Sequence, residues 1–249
     1  MKIKIHNTTY VFLLLAFLSG YFEYMYLLLL IIIVHEYGHA LFARIINFKF
    51  DKIVIYPFGG ITKYNEDLNI STNKELFVLI GGIYMQIMFF LLIMILYKYN
   101  CVTEHTYFII KKINILLISF NFLPILPLDG GKLLNILLDK IFSYKLSNII
   151  SIIISFIILI IFIIYNKTLF ALLLSLFLIK CLVIEINNIK YKYNKFLLER
   201  YLNNYNFNKI KIINNMNKFK RDNYHIINNM LESRFLKKLF DRQQYVNHM

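Results

Sequence analysis

The run Val34-His35-Glu36-Tyr37-Gly38-His39-Ala40 places two histidines four residues apart with a glutamate after the first. This is an HExxH pattern. On a helix, positions i and i+4 project from one face a turn apart, so His35 and His39 can grip one metal ion. Glu36 points to a neighbouring face, placed to act as a base toward a water that the metal activates. A catalytic zinc takes three protein ligands and keeps a fourth position open, so a third ligand must come from elsewhere. Carboxylates in or beside apolar sequence are few: Glu23, Glu185 and Asp129. Asp129 ends the stretch Asn121-Phe122-Leu123-Pro124-Ile125-Leu126-Pro127-Leu128-Asp129, followed by Gly130-Gly131. Prolines and glycines there must break a helix, and such a break is tolerated in a membrane where it is buried in protein or lines a cavity. A carboxylate at that break is a natural oxygen ligand. The plainer readings are a hydrogen-bonded polar cluster for the histidines and a kink satisfied by backbone amides for Asp129.

The elements that must position these groups are membrane spans. Apolar residues make up 59% of the 249, charged residues 17%, and the mean hydropathy is +0.58. Six apolar segments emerge, at about 8–22, 24–46, 76–97, 113–138, 146–165 and 168–186. Each is near the ~20 residues that cross a bilayer, the first being short. Lysines at positions 2, 4, 49, 52, 63, 74, 140 and 145, and a tail from Asn187 with 13 Lys or Arg against 4 Asp or Glu, fall on one side of a six-span chain. The positive-inside rule makes that side, with both termini, cytosolic. The stretch 48–56 alternates like a strand and Pro57-Phe58-Gly59-Gly60 breaks the chain, which suggests a hairpin dipping toward the membrane. Cys101 and Cys181 have no CxxC or histidine context and read as structural. No small-residue cleavage site follows the first apolar run, so no removable signal peptide is expected.

The HExxH run, followed some ninety residues later by Asn121, Pro124, Pro127, Asp129 and Gly130 as Asn-x-x-Pro-x-x-Pro-x-Asp-Gly, resembles the site-2 protease family of intramembrane zinc metalloproteases, nearest its stage IV sporulation protein FB branch. The 57–60 loop and the stretch 195–201 fit that branch, and the similarity covers about residues 30–225. The resemblance implies an all-α polytopic membrane protein of about six transmembrane helices, with a small membrane-associated strand or loop element and a cytosolic C-terminal tail. It implies one zinc ion held by His35, His39 and Asp129, with Glu36 as general base. Asn121, with Pro124 and Pro127 of its motif, would meet the substrate backbone, and Phe58 and Gly59 would lie near substrate entry. It further implies removal of the membrane-associated pro-sequence of a sporulation sigma factor in the mother-cell membrane around the forespore of a bacterium. Membrane inhibitory partners and no direct contact with nucleic acid come with it, and a homo-oligomer is left open.

Two departures stand out. Family members often have Gly-Pro in the third span, where this chain has Gly81-Gly82-Ile83; the glycines still allow close helix packing. In this branch the tail forms a nucleotide-sensing CBS domain. Here 219–225 resembles an early part of it, yet only 24 residues follow His225, read as a helix over 230–240. The chain therefore divides into a six-span domain, 1–187, and a basic tail, 188–249, in which ATP binding is doubtful. The rivals to a protease are a non-hydrolytic metal transporter and a scaffold anchoring a partner through its tail. Glu36 beside the ligands favours the enzyme. An aspartyl intramembrane protease is disfavoured, because no second Asp lies in a span.

Overall fold

The structure is a computed structural model that describes residues 2–48, 50–56, 59–64, 68–203, 205, 207 and 209–246. Its elements in chain order are β1 (Lys2–Ile5), α1 (Asn7–Leu18), α2 (Phe22–Ile45), β2 (Phe50–Tyr56), β3 (Gly59–Tyr64), α3 (Thr72–Lys98), α4 (Glu104–Asn121), α5 (Asp129–Ile141), α6 (Tyr144–Tyr165) and α7 (Leu169–Leu202). β4 (Ile210–Ile213), a 3-10 turn at Met216–Lys218, β5 (Tyr224–Ile227), β6 (Met230–Leu231) and α8 (Glu232–Val246) complete the chain. Two compact units result: Met1–Glu66 with Leu76–Phe122, and Asp67–Glu75 with Leu123–Met249.

Among the described residues, four helices are long and apolar enough to cross a membrane: α2, α3, α6 and α7. The first apolar segment folds as a helix of only twelve residues. The fourth, expected over 113–138, is two helices: α4 starts earlier, at Glu104, and α5 starts at Asp129, with the proline-containing break between them. α7 continues to Leu202, well past the apolar stretch, because Lys, Glu and Leu there are good helix formers.

In the first unit, the buried face of α2 carries Leu27, Ile31, His35, His39 and Ala43 at steps of four. The stripe that packs as Leu and Ile at one end thus becomes the histidine face at the other. Leu27, Ile31 and Ile32 join Ile93, Ile109, Ile110 and Leu117 in one core. The expected hairpin is present: β2 pairs antiparallel with β3, Ile55 opposite Gly60 and Tyr56 opposite Gly59. Pro57 and Phe58 lie outside the described residues. A third strand was not foreseen: β1 runs parallel to β2, and the His6 N–H and Thr9 hydroxyl both donate to the Ile55 carbonyl, at 2.9 and 3.0 Å.

In the second unit α6 is patterned inside out. Ser147, Ser151 and Ser155 recur every four residues and are fully buried, while Ile153, Phe156, Ile157 and Ile164 are at least half exposed. A soluble protein would not present that face to water, whereas lipid accepts it. The serines satisfy what lies inside: Ser155 accepts from the Leu126 N–H at 3.0 Å, closing the backbone of the break, and Ser151 donates to Asn135 at 3.0 Å. The tail forms a sheet with β4 parallel and β6 antiparallel to β5. Its Ile213, Phe219, Ile227 and Leu236 pack with Tyr144, Tyr193, Phe196 and Leu197 of α6 and α7.

Candidate metal centre

His35, Glu36 and His39 come together on α2, all buried, with one donor atom from each lying within 4.8 Å of the others. The two Nε2 atoms are 3.2 Å apart, and the rings stand at 90°. What fixes them is the hydrogen bond at the far nitrogen of each ring. His39 Nδ1 lies 3.0 Å from the Val78 carbonyl, which can only accept, so Nδ1 carries the hydrogen. His35 Nδ1 lies 3.0 Å from Gln86 Oε1. The Gln86 amide is oriented by donating through Nε2 to Asn114 Oδ1 at 2.8 Å, which leaves Oε1 as the acceptor for His35. Both imidazoles therefore turn an Nε2 lone pair inward, toward each other. Two imidazoles that turn Nε2 inward on one helix face are arranged to bind a single cation. With a carboxylate in the same group, the donor set fits a divalent metal of the zinc type.

Close helix crossing makes this geometry accessible. A Cβ at Gly38 would collide with the Gly81 carbonyl, and one at Gly82 would sit 2.5 Å from His39 Nε2 and 2.9 Å from His35 Cε1. A Cβ at Gly60, on β3, would run into the Glu36 side chain. Glycine at 38, 81 and 82 lets α3 approach α2, and glycine at 60 lets the sheet reach Glu36.

Asn121, the last residue of α4, places its Nδ2 3.4 Å from His35 Nε2, inside the same site. Gly59 begins β3 one residue before Gly60. Asp129 belongs to the second unit, where it opens α5, is buried and pairs with Lys132 at 3.1 Å. Gly131 lets that helix start lie against Ile125 and Leu126, since a Cβ there would come within 2.5 Å of their backbone. Pro124 and Pro127 lie in the break itself, where a residue without an N–H leaves no donor to satisfy. The reading from sequence missed Gln86, Asn114 and Gly60. Gln86 had a signal: between Leu76 and Tyr97 it is the one side chain that is neither apolar, glycine nor aromatic.

A buried HExxH helix crossed by a glycine-bearing helix, in a chain with four helices among the described residues apolar enough to cross a membrane, defines a polytopic membrane protein of the site-2 protease fold. The chain belongs to peptidase family M50, which matches residues 23–105 and 98–165. It is 32% identical over 140 residues to stage IV sporulation protein FB of Bacillus subtilis, a match covering 56% of this chain and 49% of that one. It is 26% identical over 130 residues to a zinc metalloprotease of Methanocaldococcus jannaschii, covering 51% of this chain and 38% of the relative. The matched part thus spans half the length of these relatives or less. The solved structure of the site-2 protease from Methanocaldococcus jannaschii shares the fold, with a TM-score of 0.61 at 24% identity, over 74% of this chain and 89% of that one.

Proposed function

We propose that this chain is an intramembrane zinc endopeptidase of regulated proteolysis whose substrate is the membrane-associated pro-sequence of a sporulation sigma factor. The observation that carries the reading is the pair of inward-facing Nε2 atoms of His35 and His39 beside Glu36. Family membership and the sporulation relative support it. His35, His39 and Asp129 would hold one zinc ion. Bound there, zinc supplies a Lewis acid toward the scissile carbonyl and lowers the pKa of a water to about 7. Glu36 takes the proton from the attacking water and delivers it to the leaving amine. Asn121, its amide beside His35, hydrogen-bonds the substrate backbone, which must unwind first because a helix hides its carbonyls. Gly59 flanks substrate entry, and Pro124 and Pro127 shape the wall that carries Asp129.

On this reading the protein is a multi-pass protein of a bacterial cell membrane with both termini cytosolic, the mother-cell membrane being its place during sporulation. Residues 1–187 do the chemistry and the basic tail, 188–249, stays in the cytosol. Membrane inhibitory partners would restrain it. The test is co-expression with the host's pro-sigma factor, without inhibitors. Shortening of the substrate that depends on Glu36 supports the reading. Full-length substrate counts against the sigma-factor assignment. A chain that binds zinc yet cleaves no tethered substrate would instead be a non-hydrolytic metal-binding protein.

A further inference from the structure

Four consecutive tail residues touch the ends of three helices. The Phe219 carbonyl accepts from the N–H of Tyr144, the first residue of α6, at 2.9 Å. Lys220 Nζ donates to the carbonyl of Ile141, the last residue of α5. Arg221, itself buried, pairs through Nη1 with Asp139 in the last turn of α5 at 3.0 Å and with Glu75 in the first turn of α3 at 2.6 Å. Its Nη2 donates to the Ile70 carbonyl at 2.9 Å. Asp222 caps α3: it accepts from the Thr72 N–H at 3.2 Å and from the Thr72 hydroxyl at 2.6 Å. The segment is rigid enough for this because Arg200 of α7 holds it, donating to the carbonyls of Lys220 at 2.7 Å, Arg221 at 3.2 Å and Asn223 at 2.9 Å.

A polar loop that only tethered a tail would not need a buried arginine shared between two carboxylates. The helices it grips are informative. α3 is one continuous helix, and six residues beyond Thr72, about 9 Å along its axis, it presents the Val78 carbonyl that orients His39. Gly82 and Gln86 follow on the same helix. α5 begins at Asp129 and ends at the residues gripped by Lys220 and Arg221.

We propose that the tail segment around Arg221 and Asp222 positions the metal site, by fixing the axial setting of α3 at its first turn. Arg221 and Asp222 are positioning residues: they act through Val78 and Gln86, never on substrate. This rests on the metalloprotease reading for its kinetic arm only; its zinc arm needs only that His35 and His39 bind metal.

The test uses the full chain in membranes. Asp222→Ala removes the cap on α3, whereas Asp222→Asn keeps an acceptor for the Thr72 N–H, Asn being as good a cap as Asp. The rate at which a chelator strips zinc should rise about tenfold in Asp222→Ala and stay within about twofold of wild type in Asp222→Asn, the size expected for a group that orients a ligand from outside the metal's own shell. On a tethered substrate, kcat should fall in Asp222→Ala while KM holds. Thr72→Val, which keeps the side-chain shape and deletes the hydroxyl, reads the same contact from the α3 side should Asp222→Ala fail to reach the membrane. Unchanged zinc release in folded Asp222→Ala and Thr72→Val overturns the proposal, and so does a change confined to KM, which would make the segment a substrate contact. If wild type cleaves nothing, the proposed function fails while the zinc-release arm still decides this one.

Discussion

His39 donates its Nδ1 hydrogen to the Val78 carbonyl at 3.0 Å, and by doing so turns its Nε2 to within 3.2 Å of His35 Nε2. One backbone acceptor on α3 thereby settles the tautomer and ring orientation of a residue on α2. A carbonyl cannot be mutated away, so the acceptor for this half of the site survives any side-chain change at Val78. The acceptor for the other half does not.

His35 depends on the side chain of Gln86, which in turn depends on Asn114. Gln86→Leu removes the acceptor and leaves the Nδ1 hydrogen of a buried imidazole unmatched. Zinc affinity should drop about 10- to 100-fold. Titration of the purified protein against a competing chelator checks this, and unchanged affinity would mean that His35 takes its orientation from something else.

Gly82→Ala places a methyl group 2.5 Å from the His39 ring. Either the ring or α3 must give way, at a cost of about 1–3 kcal/mol for an overpacked site. The expected result is weakened zinc retention at near-normal membrane levels. Ala at Gly59, where no atom lies within 4 Å of a Cβ, is the control and should retain zinc normally.

The tail should loosen on acidification. Burial pushes His225 below its ordinary pKa, reinforced by the charge of Arg200 and opposed by the hydrogen bond to Glu232. A histidine whose pKa is depressed on folding favours the folded state above its unfolded value of about 6.5, and that contribution is lost as pH falls below it. The geometry agrees: His225 Nε2 accepts from the Lys220 N–H at 3.0 Å, which a protonated ring cannot do. Glu232 carries the same sign further down. Burial alone would raise it, but the hydrogen bond with His225 and the charge of Arg200 hold it below its usual value. Asp139 opposes them, burial having pushed it up to about 6 against the pull of Arg221 and Ser147, so it binds its proton more tightly when folded. Limited proteolysis of the tail should quicken between pH 7 and 5.5, and His225→Gln should flatten that rise. An equal rise in the variant would assign the effect to other groups.

The metal face was legible because HExxH encodes its own geometry: a four-residue step on a helix needs no tertiary information to put His35 beside His39. The break at Pro124 and Pro127 was equally legible, since missing N–H groups are a local property. What orients the ligands was not. Val78 acts through its backbone, which carries no residue-type signal, and Gln86 reads as one polar residue in an apolar span until Asn114 is placed next to it. The β1 strand escaped notice because Lys2 to Ile5 is too short to show a period and pairs with β2 some fifty residues away. The docking of the tail escaped for a different reason. A surplus of lysines suggests solvated charge, whereas Arg221 and Arg200 lie deep against Asp139 and Glu232 and lock the tail into place.

If Glu36 does acid–base work at a metal held by His35 and His39, cleavage of a tethered pro-sigma substrate by the purified chain in lipid vesicles, read alongside bound zinc, measures it most directly. Wild type should cleave, stop when a chelator strips the metal, and resume when zinc is restored. Glu36→Gln should hold about one zinc per chain and cleave at least about 100-fold more slowly, the lower range for losing a general base. Undiminished cleavage by Glu36→Gln, or by metal-free wild type, would rule out that role for Glu36 or for the metal.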